Sequence, residues 1–129
     1  MHRFIILIAL LSISSLCFAQ VSKKTYQTIM TGNAESIKID IEGAKVDLKE
    51  TKGTRILVET SVQLSLPNEA LLNFVVESGR YELTKSVDAT SRQLSLSSKK
   101  NKNVIVVKGE TCQEKIVYTI YVPNTIKSF

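Results

Sequence analysis

Histidine is the scarcest reactive residue in this chain: the only one among 129 residues is His2, inside a stretch that reads as removable. What remains has no imidazole, which excludes the ordinary Ser-His-acid and Cys-His nucleophile systems. With one cysteine and no histidine after that stretch, a structural zinc shell cannot be filled, and most copper and non-haem iron sites go with it. Tryptophan is absent and aromatics make up 6% of the chain, so a stacked sugar platform is not indicated. The five glycines are scattered and form no phosphate-cradling loop. Cofactors and metals are therefore not expected.

Long hydrophobic runs are equally rare, and the exception lies at the start. Met1-His2-Arg3 is a short positive segment, Phe4 to Leu11 is continuously apolar, and Ile13 and Leu16 extend it past Ser12. Cys17 and Ala19 supply small residues at the −3 and −1 positions, so residues 1–19 read as a secretory signal cleaved between Ala19 and Gln20. A membrane span needs about 20 predominantly apolar residues, and Ser12, Ser14 and Ser15 break this run. Leu16 before Cys17 is too large for a lipoprotein signal. The expected destination is the periplasm or cell surface, with no transmembrane segment left after cleavage.

Removing the leader takes Arg3 from the 17 basic residues and none of the 12 acids, so the remainder carries a net charge of +4. The excess is mild and spread out, apart from Lys99, Lys100 and Lys102, and no nucleic-acid motif accompanies it. Cys17 leaves with the leader and Cys112 stands alone, so an apolar core rather than a disulfide must hold the fold. Cys112 is either buried or an intermolecular thiol. Some 110 residues suffice for one core and not for two.

Most of the remainder alternates with period two. Ile37, Ile39 and Ile41 share one face against Lys38, Asp40 and Glu42, and Val46 and Leu48 resume the pattern after Gly43. Arg55 to Leu66 keeps Ile56, Val58, Thr60, Val62, Leu64 and Leu66 in one row. After Pro67 the period changes. Asn68 is a good N-cap, Leu71, Leu72, Val75 and Val76 form a helical stripe, and Gly79 suits a left-handed C-terminal cap. One short amphipathic helix is predicted at about 68–78. Further strands are predicted at Arg80–Thr84, at Gln93–Ser97, and at Val104–Val107 as a strand covered on both faces. Glu110 and Glu114 flank Cys112 in an expected loop, and Lys115–Val122 is the strongest β segment, closed by Pro123-Asn124. Thr125 to Lys127 reads as the approach to another strand, so the domain is expected either to end in a very short strand or to be truncated.

Carboxylates are the remaining candidates for chemistry. Asp40, Glu42 and Asp47 fall on outward positions, where two acids could serve as a general acid and base or ligate calcium. Their interleaving with Lys38, Lys45 and Lys49 neutralises a cation site and favours a solvated surface. Tyr118 and Tyr121 face opposite sides of one strand, so at least one is core.

The stretches SIKIDIEGAKVDLKETKGTRILVET, LLNFVVESGRYEL and VVKGETCQEKIVYTIYVPNTIK carry a resemblance. Over roughly residues 35–127 they are similar to the adhesin-like domain family of exported Gram-negative bacterial proteins. That resemblance implies a β-rich domain, often a right-handed β-solenoid or stacked sheets, with no catalytic residues to carry over. Such domains usually continue beyond the YVP segment.

The expected fold is therefore mainly β: stacked sheets or the start of a right-handed β-solenoid with one helix. Residues 20–34 are expected to be a lead-in and 35–129 the single domain. The expected function is a non-enzymatic envelope binding, adhesion-like or structural protein whose partner is an envelope protein, a surface ligand or a second copy. Tyr118, Tyr121 and Val122 are the expected partner-contact edge. Two alternatives compete: a small acid-dependent enzyme on glycans, and a periplasmic sensor or carrier of an apolar ligand.

Overall fold

A computed structural model describes residues 21–99 and 103–128. The predicted leader 1–19, the Ala19–Gln20 junction, and Lys100 and Lys102 of the basic cluster lie outside the described residues.

The architecture follows from alternation. β1 (Ser22–Met30), β4 (Arg55–Leu64), β9 (Glu114–Pro123) and β3 (Lys45–Thr51) form one sheet in the order β1-β4-β9-β3. β1 and β9 run antiparallel to β4, and β3 runs parallel to β9. The second sheet has the order β10-β2-β6-β5, built from β10 (Lys127–Ser128), β2 (Ser36–Asp40), β6 (Gln93–Ser97) and β5 (Thr84–Asp88). β2 pairs parallel to both β10 and β6, while β5 and β6 form an antiparallel hairpin. β7 (Ile105–Val107) and β8 (Glu110–Cys112) make a separate hairpin. The protein is thus mainly β with mixed sheets, and no solenoid coil is seen among the described residues.

One core joins the layers. Ile56, Val58, Val62 and Ile120 of the larger sheet are 0% exposed, as are Ile37, Leu94 and Leu96 of the smaller one, and all belong to one buried cluster. Each such side chain contributes about 1.5–3 kcal/mol by leaving water. The one helix among the described residues, α1 (Glu69–Glu77), packs against β1 and β4 and buries Leu72 and Val75. Asn68 Oδ1 accepts the Leu71 N–H at 3.0 Å, satisfying one orphan donor of the first turn. Gly79 at φ +81° carries the chain out of the helix, as the sequence predicts.

Four expectations fail in whole or in part, each for a visible reason. Residues 22–30 are not a lead-in but an edge strand of the larger sheet, paired over their whole length with β4. The strand expected at Arg80–Thr84 starts only at Thr84. Tyr81 and Leu83 are buried as expected, but Gln27 replaces a neighbouring strand. Its Nε2 donates to the Leu83 carbonyl at 2.9 Å and its Oε1 accepts the Leu83 N–H at 3.0 Å. Val104–Val107 is not covered on both faces, since Val104 and Val106 are 65% and 58% exposed. Lys108 and Gly109, at φ 50° and 80°, make the two-residue turn that folds β7 back on β8. The loop expected around Cys112 is therefore half strand.

Candidate functional site

Two places concentrate side-chain functionality, and the first is polar. Gly79 turns Arg80 and Tyr81 toward the start of β9, where Glu114 sits. The Arg80 Nε donates to Glu114 Oε1 at 2.7 Å and Nη2 to Oε2 at 2.9 Å, a bidentate fork. Arg80 Nη2 also reaches the Asn103 carbonyl at 2.7 Å, and the Tyr81 hydroxyl donates to Glu114 Oε1 at 2.6 Å. One layer deeper, the Tyr118 hydroxyl donates to the Tyr81 carbonyl at 2.7 Å.

The electrostatics follow from that packing. The bond to Glu114 holds Arg80 above its ordinary range. Burial, then the adjacent Glu114 carboxylate, pushes the Tyr81 hydroxyl well up. Burial alone raises Tyr118 to about 12. These groups hold their protons at neutral pH, and Glu114 is committed to two partners. Such a cluster locks the end of β9 to the segment after α1. A cleft of about 450 Å³ opens beside it, with Glu42, Arg80, Val104, Cys112 and Glu114 in its walls. Cys112 is free and buried, with Sγ 3.8 Å from Ser65 Oγ, as one of the two sequence readings anticipated.

The second place is the outer face of the larger sheet. Period two sends one set of side chains inward, so the other set faces out. The register lays Thr28, Leu57, Tyr121 and Lys49 in one row, with Tyr26, Glu59, Thr119 and Asp47 in the next. Because Thr28 pairs with Leu57, Leu57 lies diagonally between Tyr26 and Met30. These three side chains are 41%, 65% and 55% exposed respectively. Lys49 Nζ stands 5.9 Å from the Tyr121 ring centroid, and Lys24 pairs with Glu59 at 3.2 Å. An apolar and aromatic group thus sits within a mostly basic rim.

The sequence-predicted residues separate. Tyr118, Tyr121 and Val122 do not form an edge, because β9 is hydrogen-bonded to β4 on one side and β3 on the other. Tyr118 and Val122 point into the core at 1% and 3% exposure, and only Tyr121 reaches the outer face. The edges of this sheet are β1 and β3. Asp40 ends β2 in the smaller sheet, whereas Asp47 lies on β3 in the larger one, so these two acids do not share a sheet. Among the described residues no group of three or more His, Cys, Asp and Glu is placed to share a metal ion. Between β1 and α1 the cleft is about 210 Å³ and is lined by Val21, Ser22, Lys23, Glu69, Leu72 and Asn73. That is smaller and more polar than the roughly 300–1,000 Å³ of a typical apolar ligand pocket.

Sequence reasoning missed both assemblies. Arg80 and Glu114 are 34 residues apart, and nothing local announces their pairing. The outer-face group was closer to legible, because Lys24, Tyr26, Thr28 and Met30 alternate with Lys23, Thr25, Gln27 and Ile29.

Fold and surface together define a two-layer mixed-sheet β domain with one uncovered aromatic and basic face. No family model matches the chain, and no curated protein matches it significantly. Among solved structures it is similar to a putative cell adhesion protein from Clostridium sporogenes ATCC 15579, at 13% identity and a TM-score of 0.48. The match covers 84% of this chain and 45% of that one. At that identity and TM-score the likeness assigns no function. No helix among the described residues is long and apolar enough to cross a membrane.

Proposed function

We propose that this chain is an exported, non-enzymatic component of the Gram-negative cell envelope that acts in an adhesion-like way, by surface contact. The observation that carries the reading is the outer face of the larger sheet. Single exposed apolar residues are ordinary on any protein, but Tyr26, Leu57 and Met30 are contiguous across two strands, and Tyr121 continues the group. Lys24, Lys49 and Arg55 rim that group, which suits a partner with apolar or ring surfaces and acidic margins, such as an envelope protein or an anionic glycan. The predicted leader and the resemblance to adhesin-like exported domains support the same reading.

The test uses two measurements. N-terminal sequencing of the product from cells expressing the full chain is expected to begin at Gln20; an intact Met1 in the exported fraction refutes the leader. Retention of the purified protein on envelope fractions is then compared with a Tyr26→Ser/Leu57→Ser variant. Both positions are on the solvent side, so the melting temperature is expected to stay within about 3 °C while retention falls at least about tenfold. Unchanged retention removes the outer face from the proposal.

A further inference from the structure

The two edges of the larger sheet differ: side chains fasten part of β1 to the segment around Leu83, whereas among the described residues no strand pairs with the outer side of β3. Along β1, Gln27 clasps the Leu83 backbone and Lys85 Nζ reaches the Met30 carbonyl at 3.1 Å, so Leu83 and the start of β5 are tied to that strand by side chains. Among the described residues β3 pairs with β9 alone. The Thr51 carbonyl accepts the Asn124 N–H at 2.9 Å, so Thr51 aims its backbone groups at the β9 side. By alternation the N–H and C=O groups of Val46, Leu48 and Glu50 aim away from it, at the open edge. On the core side of the same strand Leu48 is 45% exposed, a large apolar side chain that the second sheet does not cover.

We infer that the open edge of β3 is a docking surface for a second copy of this chain, paired antiparallel about Leu48 so that two larger sheets become one. The strand's own charges select that partner and that register. Centred on Leu48, the pairing sets Asp47 of each copy opposite Lys49 of the other, and Lys45 opposite Thr51. The backbone groups of Val46, Leu48 and Glu50 then meet as hydrogen-bonded pairs, giving about six new bonds. Asp47 and Lys49 fall at the closer, non-hydrogen-bonded positions, where opposite charges interact best. The two Leu48 side chains cover one another across the two-fold axis. None of the four ion pairs among the described residues uses a charge of β3.

Other registers are penalised. Parallel in-register pairing sets Lys45, Asp47 and Lys49 each against itself. Centring the antiparallel pair one residue earlier, on Asp47, sets Asp47 against Asp47, and one residue later, on Lys49, sets Lys49 against Lys49. Centring it on Val46 again opposes Asp47 to a lysine, Lys45, but pairs only residues 45–47 of the strand. β5 offers no equivalent. Centred on Ser86 it places Lys85 against Val87, and all five of its residues are exposed. The interface is isologous, so it closes at two copies and leaves no growing edge on that side.

The experiment is a charge swap read by sedimentation velocity on the protein purified from cells expressing the full chain, at concentrations from about 5 to 500 μM. The native protein is expected to pass from monomer to dimer across that range. Asp47→Lys alone and Lys49→Asp alone place like charges at both crossings, and each is expected to weaken the dimer at least about tenfold. The Asp47→Lys/Lys49→Asp double variant is expected to restore it to within about threefold. Mixing the two single variants is expected to give a heterodimer, since each then meets its complement. Both positions lie on the outer face of an edge strand, and circular dichroism checks that each of the three variants is folded. A native chain that stays monomeric throughout overturns the inference, whatever other strand binds there. So does a dimer that ignores the single swaps, because its interface is then elsewhere.

Discussion

Glu114→Gln keeps the shape of the side chain and removes its charge, which isolates what the fork with Arg80 contributes. In the native chain both carboxylate oxygens are engaged, one by Arg80 Nε and Tyr81 OH, the other by Arg80 Nη2. The Arg80 and Glu114 side chains are each 17% exposed, so neither charge is well hydrated and neither is fully sequestered. Breaking a fully buried pair costs about 3–5 kcal/mol, while an exposed pair is worth about 0–1. Discounting for the residual exposure places Glu114→Gln at about 2 kcal/mol, because the glutamine oxygen still accepts one bond and the guanidinium keeps the Asn103 carbonyl. Urea unfolding at pH 7 checks this, with the slope expected to stay constant and the midpoint to fall. A double-mutant cycle with Arg80→Met separates the pair from the packing of the arginine stem, and a coupling of about 1.5 kcal/mol or more is expected. A melting temperature about 10 °C lower accompanies the single change in a domain of this size. If Glu114→Gln costs under about 0.5 kcal/mol, the fork behaves as a surface pair and the locking role assigned to it is wrong.

Three further outcomes follow from the packing. Tyr118 holds its proton up to about 12, against 10 for an unfolded tyrosine. Stability is therefore complete below pH 10 and falls as the pH rises from 10 to 12, by roughly 2–3 kcal/mol for this group; Tyr118→Phe flattens that loss in alkaline urea titrations and leaves the part due to Tyr81. Leu72→Ala, at 2% exposure on the buried side of α1, is expected to cost about 2–4 kcal/mol in chemical unfolding. Asn68→Ala removes the cap on the Leu71 N–H and is expected to cost about 1 kcal/mol, with glycine at that position costing less.

What was legible in the sequence is what alternation encodes. The row Ile56, Val58, Thr60, Val62, Leu64 is buried as the period requires, and α1 falls within one residue of its predicted bounds, because Asn68 and Gly79 are local signals with a mechanism. Leu83 shows the limit. Its burial was readable, but its backbone partner is the side chain of Gln27, 56 residues earlier, and no periodicity reports a glutamine standing in for a strand. Likewise β7 has the apolar run of a doubly covered strand, yet the Lys108-Gly109 turn pairs it with β8 alone and leaves Val104 and Val106 exposed.

The misplaced edge has a deeper cause. Period two fixes which side chains share a face and says nothing about which strand lies beside which. β3 and β4 are consecutive in the chain and separated by a short turn, so a hairpin between them is the local expectation. Instead β9 inserts between them, antiparallel to β4 and parallel to β3. The most β-prone segment of the sequence thereby becomes one of the two interior strands, while the more polar β3 is left outside. That order is physically consistent. Ile116, Tyr118, Ile120 and Val122 gain most from neighbours on both sides, whereas a strand carrying Lys45, Asp47, Lys49 and Glu50 tolerates an edge. A strand strong enough to look like a binding edge is for the same reason used up by the fold. The search for a contact surface therefore moves to the weaker strand, whose charges can choose a partner.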